Sequence, residues 1–199
     1  MPRDQLINQS KQAFVQALLR LLETESFTDI TIKQLVLESG YSRRTYYRYF
    51  HDKDAILDTL FTQRLQAYHD RLSHIDLAPA QLPAQIITAL WPHHQELQLL
   101  AQRDVLVPLM TRHLETIIKS LLTIDVSWRQ STTQNTTNYR YALTYSIGGF
   151  TILLNTLFTQ PKTSITPEQL TTQLTMALSE IVTQWQLQND HATTNNNQR

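Results

Sequence analysis

Three glycines, Gly40, Gly148 and Gly149, are all that this chain of 199 residues contains. Tight hairpin turns and phosphate-cradling loops need backbone at positive φ, which glycine adopts without steric cost. A chain so poor in glycine, and rich in Leu, Gln and Ala, reads as all-helical. The absence of cysteine excludes disulfides, thiolate zinc sites and a cysteine nucleophile, and fits a reducing cytoplasm. Hydrophobic residues, 41% of the chain, suffice for a sizeable core.

Apolar periodicity places the helices. Phe14, Ala17, Leu18, Leu21 and Leu22 form one stripe on a first helix from about Arg3 to Glu25. Thr31 with Gln34 three residues on is a capping box, and Ile32, Leu35 and Val36 face inward behind it. Gly40 ends that helix as a left-handed C-terminal residue. Ser42 caps a third helix, Arg43 to Phe50, and Asp52 a fourth beginning at Lys53 and reaching about Ser73. After a loop near Leu77 to Pro79, Ile86, Ile87 and Leu90 suggest a helix that Pro92 ends or kinks. Leu97, Leu99 and Leu100 mark a short one, and Pro108 sits near the start of another that reaches about Leu122. Ser131 to Asn138 is a polar loop, Tyr141 to Phe158 a buried helix, and Thr166-Pro167 with Gln169 opens the last. Leu170, Leu174, Leu178, Ile181, Val182 and Trp185 line that final helix, and a disordered tail follows from about Gln188. The polar N-terminus lacks the apolar run of a signal peptide, and no apolar stretch reaches the roughly 18 residues of a membrane span.

Lys plus Arg and Asp plus Glu number 17 each, so any nucleic-acid binding must come from a local patch. Gly40 to Phe50, GYSRRTYYRYF, is such a patch, with three arginines and four tyrosines. Two short helices separated by Gly40-Tyr41-Ser42 have the geometry of a helix-turn-helix. Tyr46 and Phe50, four apart, then pack inward on Leu35 and the first helix, leaving Arg43, Arg44, Tyr47 and Arg48 outside. Arginine there can contact guanine bidentately, and tyrosine hydroxyls reach phosphates.

These residues resemble the TetR family of transcriptional regulators. The resemblance runs from Phe27 to Leu57, FTDITIKQLVLESGYSRRTYYRYFHDKDAIL, and departs from the family's pattern at Val36, Ser39, Arg44 and Tyr49. It implies an N-terminal three-helix DNA-binding domain over residues 1–52, a helical effector-binding and dimerisation domain over 53–187, and a tail over 188–199. Carried over by position, Arg43, Arg44, Thr45 and Arg48 look like base readers; Thr31, Ser42, Tyr47, Tyr49 and Lys53 look like phosphate contacts. Tyr49 is open between phosphate contact and packing, and Arg3 is a further candidate for backbone or minor groove. The C-terminal part is also similar to a TetR subgroup that includes a protein-binding coactivator of dihydroxyacetone kinase genes.

For the effector pocket the candidates are Tyr68, Trp91, His94, His113 and Tyr145, with His93 beside them. Adjacent His93 and His94 lack the i, i+4 spacing of metal ligands on one helix face, so neither metal nor cofactor is expected. Gly148-Gly149 in mid-helix costs about 1 kcal/mol each against alanine. Either a second helix approaches closely there or the pair makes a notch within one subunit. Gly148, Gly149, Ile152, Leu174, Leu178, Ile181 and Trp185 are the dimer-interface candidates. The expected protein is a dimeric repressor bound to a near-palindromic operator on double-stranded DNA, released by an unknown small-molecule effector, with no membrane partner. The alternative is an activator whose C-terminal domain binds a protein. No catalytic motif points to an enzyme.

Overall fold

The computed structural model describes residues 3–74, 81–124, 136–160 and 165–180. Every described element is helical: α1 (Arg3–Leu22), α2 (Ile32–Ser39), α3 (Arg43–Tyr49), α4 (Asp54–Leu72), α5 (Leu82–Leu90), a 3-10 turn (Trp91–His93), α6 (His94–Gln102), α7 (Leu106–Arg112), α8 (Leu114–Thr123), α9 (Thr136–Thr159) and α10 (167–180). They fall into two compact units, one holding α1–α4 with α6–α9, the other α5 with α10.

In the larger unit α1 is the hub of the N-terminal part, packing on α2, α3, α4 and α6. Its stripe is deeply buried at Phe14, Val15, Ala17, Leu18 and Leu22. Each large apolar side chain so buried stabilises the fold by about 1.5–3 kcal/mol. From α4, Ile56, Leu57, Leu60 and Phe61 join this core. α9 lies against α6, α7 and α8, while α4 meets α7 and α8.

The capping signals settle the helix ends. Thr31 and Gln34 complete the capping box of α2, and Gly40 closes it at φ 72°, where a side chain would be strained. At α10, Gln169 N–H donates to Thr166 Oγ1 (3.2 Å) and Thr166 N–H to Gln169 Oε1 (3.0 Å), the second capping box. Lys53 is the residue before α4 rather than its first turn, with Asp52 Oδ1 accepting from Ala55 N–H at 2.8 Å.

Three expectations need correction. The helix expected from Pro108 to Leu122 is two helices, broken at His113, whose ring is drawn to Asp58 of α4 (2.8 Å). The polar stretch expected as a loop to Asn138 is already helical from Thr136. The helix from Tyr141 to Phe158 is not buried on most sides: Thr151, Leu154 and Phe158 are inside, but Tyr141, Tyr145 and Ile152 are 68%, 83% and 54% exposed. The loop at 77–79, the residues 131–135, Ile181, Val182, Trp185 and the tail lie outside the described residues.

Candidate nucleic-acid interface

α3 has seven residues, too few to persist as an isolated helix, so its shape depends on its caps and its packing. Ser42 Oγ accepts from Thr45 N–H (3.1 Å) at one end, and Phe50 N–H donates to Tyr46 carbonyl (2.9 Å) at the other. Tyr46 and Phe50 are buried and meet the Phe14 ring edge-on, each at 5.6 Å between centroids. The turn before α3 is held by a hydroxyl that the sequence pattern did not single out: Ser39 Oγ donates to Val36 carbonyl and accepts from Tyr41 N–H at 3.3 Å.

With one face anchored, the other is left to solvent. Arg43, Arg44, Tyr47 and Arg48 are exposed. Among the described residues none of the three arginines is in an ion pair; the Arg43 guanidinium sits 5.8 Å from the Tyr47 ring centroid. Thr45 is half-buried, its hydroxyl 2.9 Å from Ser42 Oγ. Thr31 and Ser42 are exposed N-caps, so both hydroxyls already serve helix ends. Tyr49 is half-buried, and Arg3 opens α1.

Lys53 is differently placed from the expectation of a phosphate contact. Its Nζ donates to the carbonyls of Phe27 (2.5 Å), Thr28 (2.8 Å) and Ile30 (3.1 Å), and lies 4.8 Å from the Phe27 ring centroid. An ammonium has three protons, and three carbonyls take them. Lys53 therefore ties the α1–α2 connection to the start of α4. A lysine just before an amphipathic helix gives no sequence sign of this, because its acceptors are backbone atoms more than twenty residues upstream.

Tyr46 carries a further feature. Its hydroxyl is buried without a hydrogen-bond partner among the described residues. Burial, helped by the charges of Asp52 and Tyr47, pushes its phenol up to about 12.

The effector-pocket candidates are spread over several elements. Tyr68 is half-buried on α4, and burial raises its phenol above the ordinary range. His94 opens α6. Trp91 follows α5 and belongs to the smaller unit. His113 is committed: it stacks on Phe61 at 4.1 Å and bonds Asp58, which Arg112 also approaches at 3.4 Å while holding Asp54 at 2.7 Å. Tyr145 is on the exposed face of α9. His93, beside them, is held below its usual value by burial and by the Arg64 charge, against the pull of Glu96. Arg64 grips Glu96 with two bonds, at 2.9 and 2.7 Å, a polar link of α4 to α6.

The dimer candidates on α9, Gly148, Gly149 and Ile152, share an exposed stripe with Tyr141 and with Tyr145, an effector-pocket candidate. They recur at helical spacing. A Cβ built on either glycine would meet no atom within 4 Å, so among the described residues there is no notch of the subunit's own for them to fill. By length and composition alone, Asn138–Thr159 is apolar enough to cross a membrane, with mean hydropathy 1.2, which differs from the expectation that no stretch would be. On α10, Leu170 is buried, Leu174 is half-buried, and Leu178 and Met176 are exposed.

Comparison with known families places the same segment. Residues 14–60 match the TetR_N domain, described as bacterial regulatory proteins, tetR family. No curated protein matches the chain, and the likeness of its C-terminal part to the dihydroxyacetone kinase coactivator subgroup is unsupported.

Proposed function

We propose that this chain, a TetR-type DNA-binding regulator by its N-terminal domain, is a dimeric repressor that a small-molecule effector releases from a near-palindromic operator. The observation that carries the reading is the outer face of α3: three exposed guanidiniums without carboxylate partners among the described residues, on a short helix capped at its start and anchored through Tyr46 and Phe50. Unpaired arginines on a rigid rod suit bidentate contact with guanine edges, while Tyr47, Ser42, Thr31 and Tyr49 suit the flanking phosphates. Residues 1–52 supply the reading head and 53–187 the response and the partner surface. The exposed stripe of α9 supports a second copy of this chain as partner, with Gly148 and Gly149 letting two backbones approach. Tyr68 and His94 are the remaining effector contacts of this reading. A cytoplasmic location follows from a DNA partner.

Selection of bound sequences from a random DNA pool tests it. The expected product is a two-fold symmetric site with half-sites about one helical turn or a multiple apart. In the same assay Arg44→Ala should weaken the selected site by about 1–3 kcal/mol and relax its base preference. No enrichment by the wild-type protein would end the reading, and equal loss on random DNA would remove Arg44 from the base readers.

A further inference from the structure

We propose that Arg103 is a positioning residue that couples the C-terminal bundle to the DNA-reading head through the C-terminus of α1. The proposal rests on the reading of α3 as that head.

The last carbonyls of a helix have no intrahelical donors. At the end of α1 two of them find one guanidinium from far along the chain: Arg103 Nε donates to Leu22 carbonyl at 2.6 Å and an Arg103 terminal nitrogen donates to Glu23 carbonyl at 2.5 Å. A cation there also meets the negative end of the helix dipole.

Arg103 is not a side chain swinging from a loose loop. α6 ends with Arg103 N–H on Leu99 carbonyl, Asp104 N–H on Ala101 carbonyl and Val105 N–H on Leu100 carbonyl. Asp104 takes φ 58°, the one positive-φ residue other than glycine among those described. Val105 and Leu106 are buried immediately afterwards. The neighbouring Gln102 donates to Phe158 carbonyl, near the end of α9, at 3.3 Å. Consecutive residues of one corner therefore hold the ends of two helices, α9 and α1.

α1 seats the head. Two turns before Leu22, Phe14 carries the rings of Tyr46 and Phe50. Beyond Leu22 the α1–α2 connection is held at its far end by Lys53. A shift of the α6–α7 corner thus reaches α3 through α1, by a route separate from the Asp54, Asp58, Arg112 and His113 cluster that ties α4 to α7 and α8.

Amide hydrogen exchange and operator affinity of the full-length protein test the tie, with Arg103→Gln and, as control, Arg140→Gln, which breaks the surface pair with Glu115. In Arg103→Gln, exchange at residues 23–31 and in α3 should rise about tenfold, the scale of one charge-assisted hydrogen bond, with α9 unchanged. Operator affinity should fall by a similar factor at an unaltered salt slope. Unchanged exchange at 23–31, or equal effects of the two variants, would overturn the tie. If the exchange result appears but wild-type protein binds no DNA, the tie stands and the regulator reading falls.

Discussion

At the residue scale, the hydroxyl of Tyr46 is the conspicuous anomaly. It lies in the aromatic core under α3, where an unpaired polar group costs about 1–3 kcal/mol. Tyr46→Phe should therefore raise stability by about 1 kcal/mol in chemical denaturation, with α3 still seated on Phe14. The effect should grow in alkali. The folded-state pKa stands near 12 against an ordinary 10.0, so from pH 10 upward the unfolded chain loses its proton first and native stability falls. The Phe variant should lose the share of that decline due to Tyr46 and keep the share due to the buried Tyr68 phenol. A Tyr46→Phe protein less stable than wild type would mean that the hydroxyl makes a bond of its own. The inward placement of Tyr46 was legible from its i, i+4 relation to Phe50. Its want of a partner among the described residues was not, because that depends on what other segments bring to the same spot.

At the scale of elements, local chemistry wrote the caps and tertiary contacts wrote the interruptions. Thr31 with Gln34, Gly40, Ser42, and Thr166 with Gln169 act within a few residues of themselves, and each works where the pattern placed it. The break between α7 and α8 has no such local mark; it coincides with the demand of Asp58 for His113. Lys53 belongs to the same class. Lys53→Met keeps the aliphatic stem and removes the three donors, so it should cost about 1.5–3 kcal/mol of stability, read from the denaturation midpoint. The dependence of operator affinity on salt should stay as in wild type. A slope lowered by about one per subunit would return Lys53 to the phosphates.

At the scale of the whole molecule, the decisive surface is the exposed stripe of α9. A helix apolar enough in composition to cross a membrane, yet packed on α6, α7 and α8 through one face, has another apolar face that no described residue covers. A second copy is the proposed cover, and Tyr145→Glu would place a charge in the middle of it. Sedimentation should then show a monomer at micromolar concentration, and affinity for a two-fold site should collapse, since one head contacts only one half-site. A Tyr145→Glu protein that still sediments as a dimer would move the interface elsewhere.

The sequence by itself determined the helical class, the helix-turn-helix with its caps, and which side of α3 carries arginine. Those features arise from backbone sterics and side-chain spacing over a few residues, which is information a linear pattern contains. Only the tertiary structure decided where Lys53 and Arg103 spend their charge, why α7 stops at His113, and which face of α9 is left open. In each case the partner is a carbonyl or carboxylate tens of residues away, or a neighbour that is absent among the described residues, and neither leaves a periodicity to read.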